Sequence, residues 1–193
     1  FEDKGNRSIT LRPEGTAPVV RAFVENKLFA EAQPIKLYYT GPMFRYSRPQ
    51  AGRYRQFNQL GVEAFGSTDP LIDAETIALG MDIFSSVSLK KLELHINSVG
   101  CPACRPKHKE ALKEFLAPRY NELCPTCQSR YEANPLRIFD CKSEVCQEIV
   151  KNAPTITACL CDECKDHMEI LKSYLKVCEI EYNLDENLMW GMD

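Results

Sequence analysis

The chain has 193 residues, 44% hydrophobic and 26% charged, enough to bury a real core as one large or two small domains. A formal net charge of −3 and a pI near 5.7 exclude a global attraction to nucleic acid, so any RNA contact must come from local patches. No apolar run approaches membrane-spanning length, and Phe1-Glu2-Asp3-Lys4 is neither a signal peptide nor an initiator segment, which reads as a chain that begins inside a longer protein.

Ser8 to Leu11 is a short β-prone run, and Pro13-Glu14-Gly15-Thr16 is a turn. Thr16 is expected to cap a helix over residues 17–26, whose Val19, Val20, Phe23 and Val24 fall at helical spacing, with Pro18 tolerated in the first turn. On these residues alone Thr16 only caps and Glu14 only meets solvent.

Ile35 to Thr40 reads as a strand that runs into the stretch on which the chain is organised, GPMFRYSRPQAGRYRQFNQLGVEAF, Gly41 to Phe65. It is a strand, a Pro- and Gly-containing loop and a second strand. Arg45, Arg48, Arg53 and Arg55 make the hairpin cationic, with no acidic residue from Arg45 through Val62. In the second strand Gln59, Gly61 and Glu63 share one face and Leu60, Val62 and Ala64 the other. The apolar face is expected against a core. The opposite face is either a solvated sheet surface or a site, in which Gly61 leaves room for a ligand and Gln59 and Glu63 hold a cationic, hydrogen-bonding group. The nearby guanidiniums suit a phosphate chain.

Asp69-Pro70 opens a helix with Ala74, Ile77, Ala78, Met81 and Phe84 as its core stripe. Leu92, Leu94 and Ile96 alternate with Glu93, His95 and Asn97 in a further strand, which places His95 at the surface or an edge. From Gly100 the composition shifts, since all ten cysteines lie between Cys101 and Cys178. Cys101/Cys104, Cys124/Cys127 and Cys161/Cys164 are CxxC pairs, and Cys141/Cys146 is a looser one. Eight thiolates suffice for two tetrahedral, four-thiolate structural zinc sites; redox use and plain buried thiols are the alternatives, and spacing does not say which pairs share a metal. Cysteines without a secretory signal point to a reducing compartment, the cytoplasm. Cys159 and Cys178 are spares, Cys178 being expected in the core of a helix over 165–177 with Met168, Leu171 and Leu175. Lys107 to Leu116 is a helix with Ala111, Leu112 and Phe115 inward. Arg105, Lys107, His108 and Lys109 form a basic cluster, either an RNA phosphate contact or a solvated face. Ile180 and Tyr182 lead back to the first domain.

Three segments carry a family resemblance. GPMFR followed by RPQ.GRYRQF.QLG.E resembles motif 2 of the class II aminoacyl-tRNA synthetases, in the version of the histidyl-tRNA synthetases. Leu11 to Thr16 resembles that family's LRPEGT segment, and Leu188 to Asp193 the start of its histidine-binding LVRGLDYY segment. The resemblance implies an α+β fold: a partial class II antiparallel sheet flanked by helices over residues 1–99, a small helical, zinc-bearing insertion domain over 100–179, and a return to the catalytic domain over 180–193.

It also implies roles. Arg45 would bind the α-phosphate of ATP and stabilise the transition state. Glu14 and Thr16 would hold the α-amino group of histidine, Gln59 and Glu63 would hold the histidine substrate, and Arg53 would lie in a loop facing ATP and the tRNA end. ATP, Mg²⁺ and structural Zn²⁺ at Cys101, Cys104, Cys124, Cys127, Cys141, Cys146, Cys161 and Cys164 would be the cofactors. Histidine, ATP and tRNA-His would be the partners of a homodimeric full-length ligase, with the insertion on the tRNA acceptor stem. Ser47 stands where the family has an acidic residue, Asn58 where it has a histidine and Trp190 where it has an arginine. Motif 1 is expected before Phe1, and motif 3 and an anticodon-binding domain after Asp193. Two other readings remain: a catalytically inactive histidine-binding paralogue with a regulatory role, and a zinc-bearing RNA-binding module.

Overall fold

A computed structural model describes residues 1–48 and 50–188 and divides the chain into two compact units, Phe1–Ile72 and Asp73–Asp193. The fold is α+β. Trp190 and the rest of the segment compared with LVRGLDYY beyond Leu188 lie outside the described residues.

The first unit is a helix on a hairpin. Strands β1 (Ile35–Phe44) and β2 (Gln56–Phe65) pair antiparallel over their whole length, with Gly41 opposite Gln59, Tyr39 opposite Gly61 and Leu37 opposite Glu63. Ser8 makes only an isolated bridge to Glu2 instead of a strand. Helix α1 (Thr16–Glu25) begins one residue earlier than its sequence implied, and Gly15 rather than Thr16 is its N-cap. The capping acceptor is the Glu14 carboxylate, which takes the N–H groups of Thr16 and Ala17. Glu14 is acidic and one residue before the cap, so it supplies both the hydrogen bond and the charge that a helix N-terminus favours.

Helix α1 covers the hairpin face opposite to the expected one. Phe23 stacks on Phe65 at 4.3 Å, which places the helix on the face of Phe57, Gln59, Gly61, Glu63 and Phe65. Met43, on that same face, is 2% exposed, whereas Leu60 on the other face is 55% exposed and Ala64 is also exposed. The expectation that the Leu60/Val62/Ala64 face packs on a core is therefore corrected. Apolar identity along β2 is outweighed by the aromatic pairs that α1 and β1 bring to the other side.

In the second unit, α2 (Pro70–Ser86) starts where Asp69 accepts the N–H of Leu71. Its Ala74 is buried with Ile96, Met168, Leu171 and Leu175, but Phe84 is exposed and leaves the predicted stripe. The strand expected over 92–97 reduces to β3 (His95–Ile96), with His95 exposed, and β3 pairs in parallel with β4 (Asn183–Leu184). Ile180 and Tyr182 pack on that same core, which also takes Met168, Leu171 and Leu175 from α6 (Asp162–Val177). Cys178, just past α6, is exposed rather than in the core.

A second core gathers the cysteine-rich residues around α3 (Cys104–Leu116), α4 (Pro125–Ala133) and α5 (Glu144–Val150). Leu112, Leu116, Ile138 and Ile156 are its fully buried centre. His108 is buried there too, so it is not part of any phosphate-facing cluster. Its Nε2 donates to the Pro154 carbonyl oxygen at 2.8 Å, and its Nδ1 finds no partner among the described residues. Burial holds the His108 imidazole below its ordinary value of 6.5, with the Pro154 carbonyl opposing in part.

The unfolded chain therefore binds this proton more readily than the fold does. Stability is expected to fall as pH drops below about 6.5 and to keep falling until the folded state also protonates. His108→Leu should flatten that part of the profile relative to the unaltered chain, measured by denaturant unfolding between pH 7.5 and about 5.

Candidate functional site

The first unit carries a polar row on one sheet face. Residues alternate along β1 and β2, so Arg45, Phe57, Gln59, Gly61 and Glu63 project on the same side as α1. The 12–16 turn is laid across this row by hydrogen bonds. The Arg12 carbonyl accepts the Phe44 N–H at 2.9 Å, Arg12 Nε donates to the Pro42 carbonyl at 2.9 Å, and Arg45 Nε donates to the Pro13 carbonyl at 2.7 Å. Arg45 also lies over the Phe57 ring at 5.0 Å. Its Nε is thus engaged, while its outer nitrogens sit on an exposed side chain, a geometry that suits a bidentate anion.

The structure brings together Glu14, Thr16, Arg45, Gln59 and Glu63, all predicted site residues, within this unit. Gln59 Oε1 is buried and has no hydrogen-bond partner among the described residues, a group that a bound donor would satisfy. Arg53 stands apart from the row, exposed in the loop beyond the strand ends, where its N–H bonds the Gln50 carbonyl. Ser47 donates its N–H to the Arg45 carbonyl, and Asn58 lies on the opposite sheet face from Gln59, as expected from alternation. Gly61 does not leave an open space, because the Tyr39 ring fills it. Sequence reading missed both Tyr39 and Arg12. A signal for Tyr39 was available, since two glycines, Gly15 and Gly61, fall in the segments that flank it.

The second unit assembles the eight predicted thiols into two tetrads. Cys101, Cys104, Cys161 and Cys164 form one, and Cys124, Cys127, Cys141 and Cys146 the other, with all sulfurs in a tetrad within 4.8 Å of one another. Tetrahedral metal–thiolate bonds of about 2.3 Å would separate sulfurs by about 3.8 Å. The Cys101–Cys161 distance of 3.9 Å and the Cys124–Cys141 distance of 3.8 Å fit that figure, and Cys101–Cys104 is tighter at 3.4 Å. Main-chain N–H groups point at sulfurs of both tetrads, among them Cys161 at Cys104 Sγ, Cys124 at Cys146 Sγ, and Ser143 at Cys141 Sγ.

The thiols of a tetrad are driven apart in acidity. The Ala103 N–H, with help from Cys104, brings Cys101 down to about 6, and the Cys127 N–H brings Cys124 to about 7. Burial pushes the Cys127 and Cys146 thiols up, and Cys164 to about 12. Four thiolates in one such space repel one another unless a cation sits between them, so the arrangement could hold a metal. Cys159 and Cys178 are not in either tetrad. Beside the tetrads, a groove of about 950 Å³ is lined by Arg105, Lys109, Arg130 and Arg137 with Pro102 and Pro106.

A family model described as "Histidyl-tRNA synthetase" matches residues 1–103. The chain belongs to the histidyl-tRNA synthetase family. It is 66% identical to the histidine–tRNA ligase of Moorella thermoacetica and 62% identical to that of Desulforamulus reducens, over all 193 of its residues and 46% of each relative. The apo histidyl-tRNA synthetase of S. aureus superposes with a TM-score of 0.79 at 48% identity, over 100% of this chain and 45% of that one. The chain thus spans about half the length of the curated relatives it matches. No described helix is long and apolar enough to cross a membrane.

Because Glu14 is the cap of α1, Glu14→Ala should destabilise the first unit by about 1 kcal/mol, and Glu14→Gln by less. Urea unfolding of the two variants against the unaltered chain measures this.

Proposed function

We propose that the chain is the central part of a histidine–tRNA ligase. The observation that carries the reading is the gathering of Glu14, Thr16, Arg45, Gln59 and Glu63 on and beside one hairpin face, in a chain alike over its full length to ligases of that name. The names of the relatives favour the ligase over an inactive regulatory paralogue, and the match over residues 1–103 speaks against an isolated RNA-binding module.

The reaction has two displacements. The histidine carboxylate attacks the α-phosphate of ATP and pyrophosphate leaves; a terminal hydroxyl of tRNA-His then attacks the carbonyl carbon of the adenylate, takes the histidyl group and releases AMP. Arg45 meets the α-phosphate with its outer nitrogens while its Nε stays on Pro13, so the guanidinium is already oriented when charge builds on the phosphorus oxygens. The Glu14 carboxylate and Thr16 receive the α-ammonium, and Glu63 with the unpartnered Gln59 Oε1 receives the side-chain donors. Mg²⁺ bound with ATP supplies further charge neutralisation. Arg53, on its loop, faces ATP and the tRNA end.

The architecture follows the same reading: a partial class II sheet over residues 1–99, an insertion domain over 100–179 and a return over 180–193. The insertion is held by two structural Zn²⁺ ions, one per thiol tetrad. The tetrads fit such ions by donor set and spacing, and four thiolates leave no open position for chemistry. The groove of Arg105, Lys109, Arg130 and Arg137 offers cations to the RNA backbone. The full-length protein would act as a homodimer in the cytoplasm.

Histidine-dependent ATP–pyrophosphate exchange by the full-length protein tests the reading. Exchange is expected, and Arg45→Ala should lower it by about 10²-fold or more, with the protein still folded and only a small drop in melting temperature from the lost bond to the Pro13 carbonyl. No exchange, with histidine still bound, would move the assignment to the inactive paralogue. Elemental analysis should find two zinc ions per chain, one of them lost in Cys127→Ser and neither in Cys178→Ser; a chain purified under reducing conditions with no bound metal would refute the zinc assignment.

A further inference from the structure

Tyr39 is the side chain on which the two halves of the proposed amino-acid site meet. It stands on β1 opposite Gly61, in the register that sets Gln59 and Glu63 two residues to either side. One edge of its ring faces Gly15, where a Cβ would come within 2.1 Å of Cε2 and 2.5 Å of Cδ2. Its tip faces Gly61, where a Cβ would come within 2.2 Å of Cζ and 2.3 Å of the hydroxyl oxygen. Both distances are far inside van der Waals contact, so neither glycine can be replaced while the ring stays in place. Its neighbour Tyr38, on the other sheet face, is 77% exposed and makes no comparable contact.

We infer that Tyr39 is a positioning residue that sets the span between the ammonium-binding turn and the side-chain-binding row. The turn is tied to the hairpin at its other end by Arg12 and Arg45, through bonds to the Phe44 N–H and to the Pro42 and Pro13 carbonyls. At the Gly15 end the ring is the part wedged between turn and strand. Glu14 and Thr16 flank Gly15, and Gln59 and Glu63 flank Gly61, so the ring fixes how far apart the two groups of ligands stand. A substrate must bridge that span with its α-ammonium at one end and its side chain at the other. The inference rests on the histidine-site reading given above. It adds that the span is held by ring packing and not by a hydrogen bond of the phenol.

The test is steady-state pyrophosphate exchange by the full-length protein, with histidine and ATP varied separately. Tyr39→Phe should keep the histidine KM within about twofold. Tyr39→Ala should raise it by about tenfold or more and leave the ATP KM near its original value, since Arg45 is held at the other end of the turn, on the Pro13 carbonyl and the Phe57 ring. Gly61→Ala should raise the histidine KM in the same direction by displacing the ring. The double variant Tyr39→Ala/Gly61→Ala should be no worse than Tyr39→Ala alone, because the clash is gone. Melting curves identify any variant that fails to fold, and the Tyr39→Phe and Gly61→Ala arms still decide the question. A histidine KM unmoved by Tyr39→Ala, or a Tyr39→Phe loss as large as that of Tyr39→Ala, would overturn the positioning role. If Glu63→Ala and Gln59→Ala also left the histidine KM unmoved, the amino-acid site itself would be wrong.

Discussion

The antiparallel register of β1 on β2 is the constraint from which the first unit follows. Side chains alternate, so a slip of one residue would carry Gln59, Gly61 and Glu63 to the opposite face and put Leu60 and Val62 in their place. The register is held from outside the ladder as well as within it. Phe23 of α1 stacks on Phe65 at one end, and Met43 is buried beside Phe57 toward the other. These apolar contacts choose the face that α1 covers. The polar residues between them are drawn into a half-buried setting because both of their neighbours along the row are aromatic or apolar.

The second unit solves a different problem. Its core near α3, α4 and α5 contains four buried cysteines, Cys104, Cys127, Cys141 and Cys146, among Leu112, Leu116 and Ile138. Buried neutral thiols pack as small hydrophobes, and burial raises the Cys127 and Cys146 thiols, with the Cys124 N–H aimed at Cys146 Sγ opposing in part. The two tetrads also differ in reach. Cys124 to Cys146 close a local loop inside one core. Cys101 and Cys104 instead join Cys161 and Cys164, at the start of α6, whose Met168, Leu171 and Leu175 belong to the core with α2 and β3. A metal in the first tetrad would therefore couple two cores, and one in the second would close a single one.

Much of this was legible in the sequence, and the failures have physical causes. The strand–loop–strand unit, the helix after the 13–16 turn, the helix of α6 with its Met168/Leu171/Leu175 stripe and the eight thiols in tetrads all follow from periodicity, turn residues and CxxC spacing. The pairing of thiols did not, because it depends on how α3 and α6 approach in space. The covered face of β2 was misjudged because Leu60, Val62 and Ala64 look like a core stripe on their own. Which face wins depends on Phe23, more than thirty residues away in sequence. Thr16 was taken for the cap because its hydroxyl is a common capping group, yet the carboxylate of Glu14 takes the Thr16 and Ala17 N–H groups at the start of the helix with a full charge. His108 was counted as basic surface when its position on α3 turns it inward with Leu112.

The charged groups beside the hairpin are fixed by the main chain. Glu14, Arg45 and Arg12 are each held by main-chain groups: Glu14 by the Thr16 and Ala17 N–H groups, Arg45 by the Pro13 carbonyl, Arg12 by the Pro42 carbonyl. Among the described residues none of the three pairs with another charged side chain, so they keep their geometry without neutralising their charges. Gln59, buried and short of a donor, is the group of this row whose need is left unmet among the described residues. In the proposed reading, a ligand entering this face would cost little reorganisation, because the backbone contacts need not break, and it would supply the hydrogen bond that Gln59 Oε1 lacks among the described residues.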